Sequence, residues 1–479
     1  MTTFPSMKIK LPGLIVAALL VSSALAADAT KTGPAGISSV SILAHTKVLS
    51  SDEFEGRAPG TPGEDKTVAY LVGEFQKLGL QPGNPDGTYL QNVPLVGISS
   101  TPSLALSIDG HTLALENVND YIGPSSRVSP RVEAKDTEVV FVGYGVVAPE
   151  YGWDDYKGVD VRGKTVVMLV NDPPVTKADG TLDDTMFRGN AMTYYGRWTY
   201  KYEIAAEKGA AACLIVHETK AAAYPFAVLV GSNTRENFEI ASPDNNAGHV
   251  GMQGWLTVDA ARRVFAACGK DYDKLKATAA TREFRPVSLG AKASFAVDNV
   301  LRNVASRNVV ALLPGSDPKL KDEYLIYTAH WDHLGRDPRL KGDQIYNGAA
   351  DNAAGVAVLL ELAKAFSSLP ADQRPKRSIL FLAVTAEEKG LLGSRYYAKS
   401  GKKFIGQPDD YGEKIVSEYI AKNYHQVSDE VKPDWTFEGA AQDAEFLMNV
   451  GLKVANDPKW PEWKPGNEFK ARRDAMLKK

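Results

Sequence analysis

Four apolar segments in the second half of the chain constrain its fold more than any other feature, because chemistry-bearing residues sit directly at the ends of three of them. Residues 309–313 and 324–328 read as buried strands, 356–366 as a helix with apolar residues at helical spacing, and 378–384 as a further buried strand. Strands alternating with a helix favour an α/β fold, here a doubly wound and mostly parallel sheet, in which ligands collect at the carboxyl ends of the strands. At those ends stand His330 with Asp332, then Asp351 at the start of the helix, then the pair Glu387 and Glu388. An imidazole with two carboxylates suits a borderline cation such as zinc. Asp332 is placed to receive the second ring N–H of His330 and so fix its tautomer. Taken singly, each residue has a plainer reading. An Asp that opens a helix is a common N-cap, a Glu-Glu pair after a strand is commonly solvated, and His333 has no spacing argument beyond its nearness to His330. The conjunction at consecutive ends is what points to a metal.

Upstream, residues 51–80 read as a Gly/Pro-rich loop leading into an amphipathic helix that carries Val68, Leu71, Val72, Phe75 and Leu78. Residues 136–290 contain strand, loop, helix and strand patterns and no cluster of metal-ligating residues, so they are expected to form a separate β-rich module. Composition sets the class: 44% hydrophobic and 24% charged residues over 479 positions support a folded core and exclude a disordered chain. Acidic and basic residues nearly balance, 58 against 55, which leaves no charge excess to attract nucleic acid or an anionic membrane. At the N-terminus Lys8 and Lys10 precede an apolar run that ends in Ala24-Leu25-Ala26. Residues 1–26 therefore read as a cleaved signal peptide, and the mature chain is expected to be periplasmic or secreted, with no membrane association after cleavage. The apolar run is shorter than the ~20 residues that span a bilayer.

The blocks YTAHWDHLG, NGAADNAAGVA, AVTAEEKGLLGSRYYA and YHQVSDE, with SDEFEGRAPGTPG upstream, resemble the signature blocks of the zinc aminopeptidase family that includes glutaminyl cyclases and glutamate carboxypeptidases. The resemblance implies a phosphorylase/hydrolase-like zinc peptidase domain over 27–135 and 291–479, interrupted at 136–290 by a protease-associated domain. It implies zinc ligation by His330, Asp351, Glu388 and His425, with Asp351 bridging two ions, and Glu387 as the general base; peptides are the implied substrates. Asp332 joins Glu387 in the catalytic set as the partner of His330.

One part of the family pattern is not found. The second carboxylate for the zinc of His330 normally comes from an Asp on a further strand, and here YHQVSDE follows the Glu-Glu block after only a short polar stretch. A strand and helix after residue 398 read as deleted, with the join near 398–401; Glu413 or Glu418 stand as replacement carboxylates or as plain exposed charges. One tightly bound zinc is expected in place of two. The leading expectation is an exported aminopeptidase. The alternatives are a cyclotransferase with a single zinc, resembling the glutaminyl cyclases, and a catalytically impaired deletion form that only binds.

Overall fold

A computed structural model of the chain describes residues 36–399, 430–431, 435, 437–459 and 461. The expected signal segment 1–26 lies outside them, as do His425, Glu413 and Glu418. The chain divides into two compact units, one made of the described residues up to Pro94 with those from Val304 on, the other of Leu95–Asn303.

The first unit is built from α1 (Ser39–Leu49), α2 (Pro62–Lys77), the end of the long strand β1 (Val287–Leu313), β2 (Tyr324–His330), α3 (Ala354–Ser367), β3 (Ser378–Val384), α4 (Leu392–Lys399) and α5 (Glu438–Asn456). Helix α2 starts where the sequence tells it to. Pro62 occupies the first turn, where its missing N–H is no loss, and Glu64 and Asp65 follow at the positive end of the helix dipole. Val68, Leu71 and Phe75 are its buried stripe. β3 is buried at every position and runs parallel to β2, from Tyr324 opposite Ser378 to His330 opposite Val384. The crossover between them carries α3, the helical return that a parallel pair requires. Phe381 on β3 meets Phe75 of α2, Phe366 of α3 and Tyr327 of β2, with ring centroids 6.0 to 6.5 Å apart. A buried side chain of that size contributes about 1.5–3 kcal/mol, so this ring locks three elements onto β3. The Tyr327 hydroxyl donates to the Leu447 carbonyl at 2.7 Å and ties α5 to β2.

Two expectations are corrected here. The sheet is mixed and not mostly parallel: residues 309–313 run antiparallel to β3, and Gln81–Pro82 runs antiparallel to β1. Residues 309–313 close the 27-residue strand β1, and a short apolar run carries no mark of its direction relative to its neighbour. The segment 324–328 was expected to be a buried strand, yet β2 is half-buried, with Thr328 exposed. It pairs with β3 alone among the described strands, so its other edge lacks the cover that buries β3.

The second unit holds the longer parallel run. Arg131–Phe141, Thr165–Leu169, Ala212–His217 and Met252–Thr257 are consecutive parallel neighbours, with Trp198–Glu207 and Val258–Ala267 among its helices. Its bounds reach beyond 136–290, because the strand that begins at Leu90 pairs through Leu95–Ile98 with Asn237–Ile240, and Val287–Asp298 pairs with Arg131–Phe141. Cys213 lies buried in this sheet, and both it and Cys268 are free thiols.

Candidate metal centre

The parallel register of β2 and β3 puts His330 and Val384 side by side, and the Trp331 N–H donates to the Val384 carbonyl at 2.9 Å. The two strands therefore release their following residues at one edge. Asp351 arrives from a third direction. Gly348, at φ 57°, turns the chain into the tight bend Ala349–Ala353. A Cβ at Gly348 would meet the Asp351 carbonyl at 2.4 Å and the His333 ring at 2.6 Å, so only glycine lets the bend close. Asp351 is not the N-cap of α3, since Ala353 holds that position without a side-chain bond. Its extended backbone sends the carboxylate towards His330 instead.

The result is a compact set of donors. His330 Nε2 lies 3.1 Å from Asp351 Oδ1 and 3.7 Å from Glu387 Oε2. Two groups bring their ligand atoms within 4.8 Å of one another: His330 with Glu387 and Glu388, and His333 with Asp351 and Glu388. Two ligands on a tetrahedral zinc with bonds of about 2.0–2.1 Å stand about 3.3 Å apart. The 3.1 Å between His330 and Asp351 is close to that separation, and the mixed nitrogen and oxygen donors suit zinc, so the residues present fit the ion. The carboxylate pair divides by burial. The Glu388 side chain is 2% exposed and that of Glu387 34%, so Glu388 faces inward while Glu387 reaches the solvent side.

His333 is the site residue that sequence reasoning missed. Its Nδ1 lies 2.6 Å from Glu388 Oε1, and both side chains are buried. That distance is a direct hydrogen bond, too short for two ligands of one ion. The only signal in the sequence was its place three residues after His330 on the turn, where no strand or helix period applies.

Asp332 works differently from the expectation. His330 Nδ1 faces the Asp332 backbone carbonyl at 3.1 Å, while the Asp332 carboxylate stands farther off, at 3.8 Å. The buried carboxylate instead accepts the backbone N–H groups of Glu387 at 3.0 Å and Glu388 at 3.4 Å. It holds the peptide that carries the two glutamates, because backbone donors in this turn outcompete a ring already served by a carbonyl. Burial pushes its carboxyl up to about 7, even with His330 beside it. For His330 burial opposes the charged ring. The bond to Asp351 and the charges of Asp332, Glu387 and Glu388 outweigh it and push the imidazole up to about 10. So strong a pull on a proton marks a place built for positive charge.

A buried polar network supports this edge from behind. Asn308 Oδ1 accepts the Thr385 N–H at 3.0 Å, and its amide donates to the Gly393 carbonyl at 3.0 Å and to Gln91 Oε1 at 2.8 Å. Ser306 joins Thr385 at 2.6 Å and Glu64 at 3.1 Å. Glu64, buried on α2, accepts the Gly60 N–H at 2.6 Å. The segment from 385 to 393, with the glutamate pair inside it, is thus pinned at both ends.

The chain is similar to several known proteins. Among solved structures, the aminopeptidase from Aneurinibacillus sp. strain AM-1 aligns over 90% of this chain and 96% of its own, with 19% identity and a TM-score of 0.45. BSAP, a zinc aminopeptidase from Bacillus subtilis, aligns over 88% and 94%, with 16% identity and a TM-score of 0.35. In sequence, a probable zinc metalloprotease of Pyrenophora teres f. teres is 39% identical over 106 residues, 22% of this chain and 21% of that protein. Aminopeptidase YwaD of Bacillus subtilis is 36% identical over 96 residues, 20% and 18% of the two chains. The matched stretch spans about a fifth of the length of these curated relatives. Residues 308–416 match the model of peptidase family M28, and they include β2, β3, the bend at Asp351 and the glutamate pair. Over that segment, about a quarter of its length, the chain resembles peptidase family M28.

Proposed function

We propose that the protein is an exported zinc exopeptidase that removes N-terminal residues from peptides. The observation that carries this reading is the convergence of His330, Asp351, Glu387 and Glu388 at one strand edge inside the M28 segment. Asp351, Glu388 and His425 would hold one zinc, and His330 with Asp351 would offer a weaker second position. When bound, zinc supplies Lewis acidity toward the scissile carbonyl and the attacking water. Glu387, on the solvent side of the cluster, takes the proton from that water and returns it to the leaving amine. Asp332 fixes the peptide on which Glu387 rides, and His333 fixes the carboxylate of Glu388. Export rests on the charged and apolar pattern of residues 1–26. No helix of the described residues is long and apolar enough to cross a membrane.

The test is hydrolysis of aminoacyl anilides by the mature protein with added zinc. Activity is expected to fall about 10²–10⁴-fold in Glu387→Ala, the loss typical of a missing general base. Full activity in that variant would refute the assignment, and ammonia release from N-terminal glutamine without peptide cleavage would replace the peptidase reading by a cyclotransferase. Metal analysis after dialysis should find close to one zinc per chain.

A further inference from the structure

Arg57 lies in the loop ahead of α2, far from the glutamate pair in sequence, and its side chain is 1% exposed. All three of its guanidinium nitrogens donate to backbone carbonyls. Nε donates to Trp331 at 2.9 Å, one terminal nitrogen to Leu49 at 2.6 Å and Asn347 at 2.5 Å, and the other to Gly348 at 2.8 Å. In return the Arg57 carbonyl accepts the His333 N–H at 3.2 Å. Trp331 stands between His330 and Asp332, and Gly348 opens the bend that delivers Asp351. Leu49 closes α1, whose last carbonyls need outside donors. The approach is close: a Cβ at neighbouring Gly56 would fall 2.5 Å from the Gly335 carbonyl and 2.6 Å from that of Tyr346.

We propose that Arg57 is a positioning residue of the metal site: its guanidinium sets the spacing between the turn bearing His330, Asp332 and His333 and the bend bearing Asp351. The proposal rests on the zinc reading above. A planar fork with fixed donor directions can hold carbonyls from two turns at a set separation, whereas an ammonium on a flexible stem holds its partners without fixing their geometry. The spacing at stake joins the two carboxylates of the tightly held ion: Asp351 rides on the bend, and Glu388 is bonded at 2.6 Å to His333 on the turn, with His330 Nε2 3.1 Å from Asp351 between them. All four carbonyls turn towards the guanidinium, so its charge is met by their dipoles.

The experiment compares Arg57→Lys with Arg377→Lys in the full chain. Arg377 is as buried, also 1% exposed, and bonds Glu323 and the carbonyls of Val454 and Asp457 at the opposite end of β3. Zinc affinity is read by chelator competition, and site geometry by the visible spectrum of the cobalt(II) form, neither of which needs activity. Arg57→Lys is expected to weaken zinc binding about 10–100-fold and to alter the cobalt spectrum, as loss of a supporting partner does elsewhere. Arg377→Lys should stay within about twofold of the unchanged protein. Equal affinities for the Arg57 variant and the unchanged protein, or equal losses in both variants, would overturn the proposal. If Arg57→Lys does not fold, Arg57→Gln is measured in its place. Failure of both to fold while Arg377→Lys folds would show Arg57 to serve the whole fold, and would also overturn it. An unchanged protein that takes up no zinc would instead refute the reading beneath, a result separate from any change caused by the variants.

Discussion

Asn308→Ala isolates the support behind the glutamate pair from the pair itself. The side chain is fully buried and makes three hydrogen bonds, so truncation leaves the Thr385 N–H, the Gly393 carbonyl and the Gln91 amide oxygen without that partner in a site closed to water. An unsatisfied buried group costs about 1–3 kcal/mol, and with partial relaxation the three together should cost about 3–5 kcal/mol. That is a large share of the roughly 5–15 kcal/mol that stabilises a folded domain. Asn308→Asp should cost more, because it sets a buried carboxylate against the oxygens of Gly393 and Gln91. Urea unfolding of the metal-free protein reads the global loss. Since the chain has two compact units, hydrogen exchange of peptides spanning residues 378–393 locates it, and protection there should fall before protection in Leu95–Asn303 changes. A loss below about 1 kcal/mol, or unchanged exchange in that segment, would refute the claim that Asn308 holds the strand end in place.

The remaining predictions concern the imidazoles. His333→Ala removes the 2.6 Å bond to Glu388 and should raise the zinc dissociation constant about 10–100-fold by chelator competition; a change under about twofold would show that Glu388 is oriented without it. In the metal-free protein the proton on His330 stabilises the fold, because its folded pKa, pushed up to about 10, lies above the ordinary value of 6.5. That stability is complete below pH 6.5 and is lost as pH rises through about 10, so urea midpoints should fall from pH 7 to pH 9, and His330→Gln should flatten the fall. Identical slopes in the two proteins would count against the reading.

The strands of the first unit were legible because burial on both faces leaves a continuous apolar run, as in 378–384, and because the helix 356–366 repeats at 3.6 residues. Position at a strand end was equally legible for His330 and Glu387, since it follows from the strand itself. What could not be read were partners set by tertiary contact. Asn308 lies within the long β1, where its polar side chain interrupts no period, Arg57 and His333 sit on turns without periodicity, and their bonds reach residues up to 291 positions away. Asp351 carried two readings in the sequence, cap or ligand, and only the course of the backbone after Gly348 separates them. Sheet direction was hidden for a related reason. The residues 309–313 look alike whether their neighbour is parallel or antiparallel.

Arg57 and Gly348 are separated by 291 residues, and most of that interval is the unit Leu95–Asn303. Closing a loop becomes harder only with the logarithm of its length. Lengthening the interval from about 80 residues, its size without that unit, to 291 adds about 1 kcal/mol of closure entropy. A module that folds by itself shortens the effective loop and lowers even this figure. A large folded insert is therefore compatible with a site stitched together from distant parts of the chain, and the stitch is far less sensitive to what lies between its ends than to the one guanidinium that makes it.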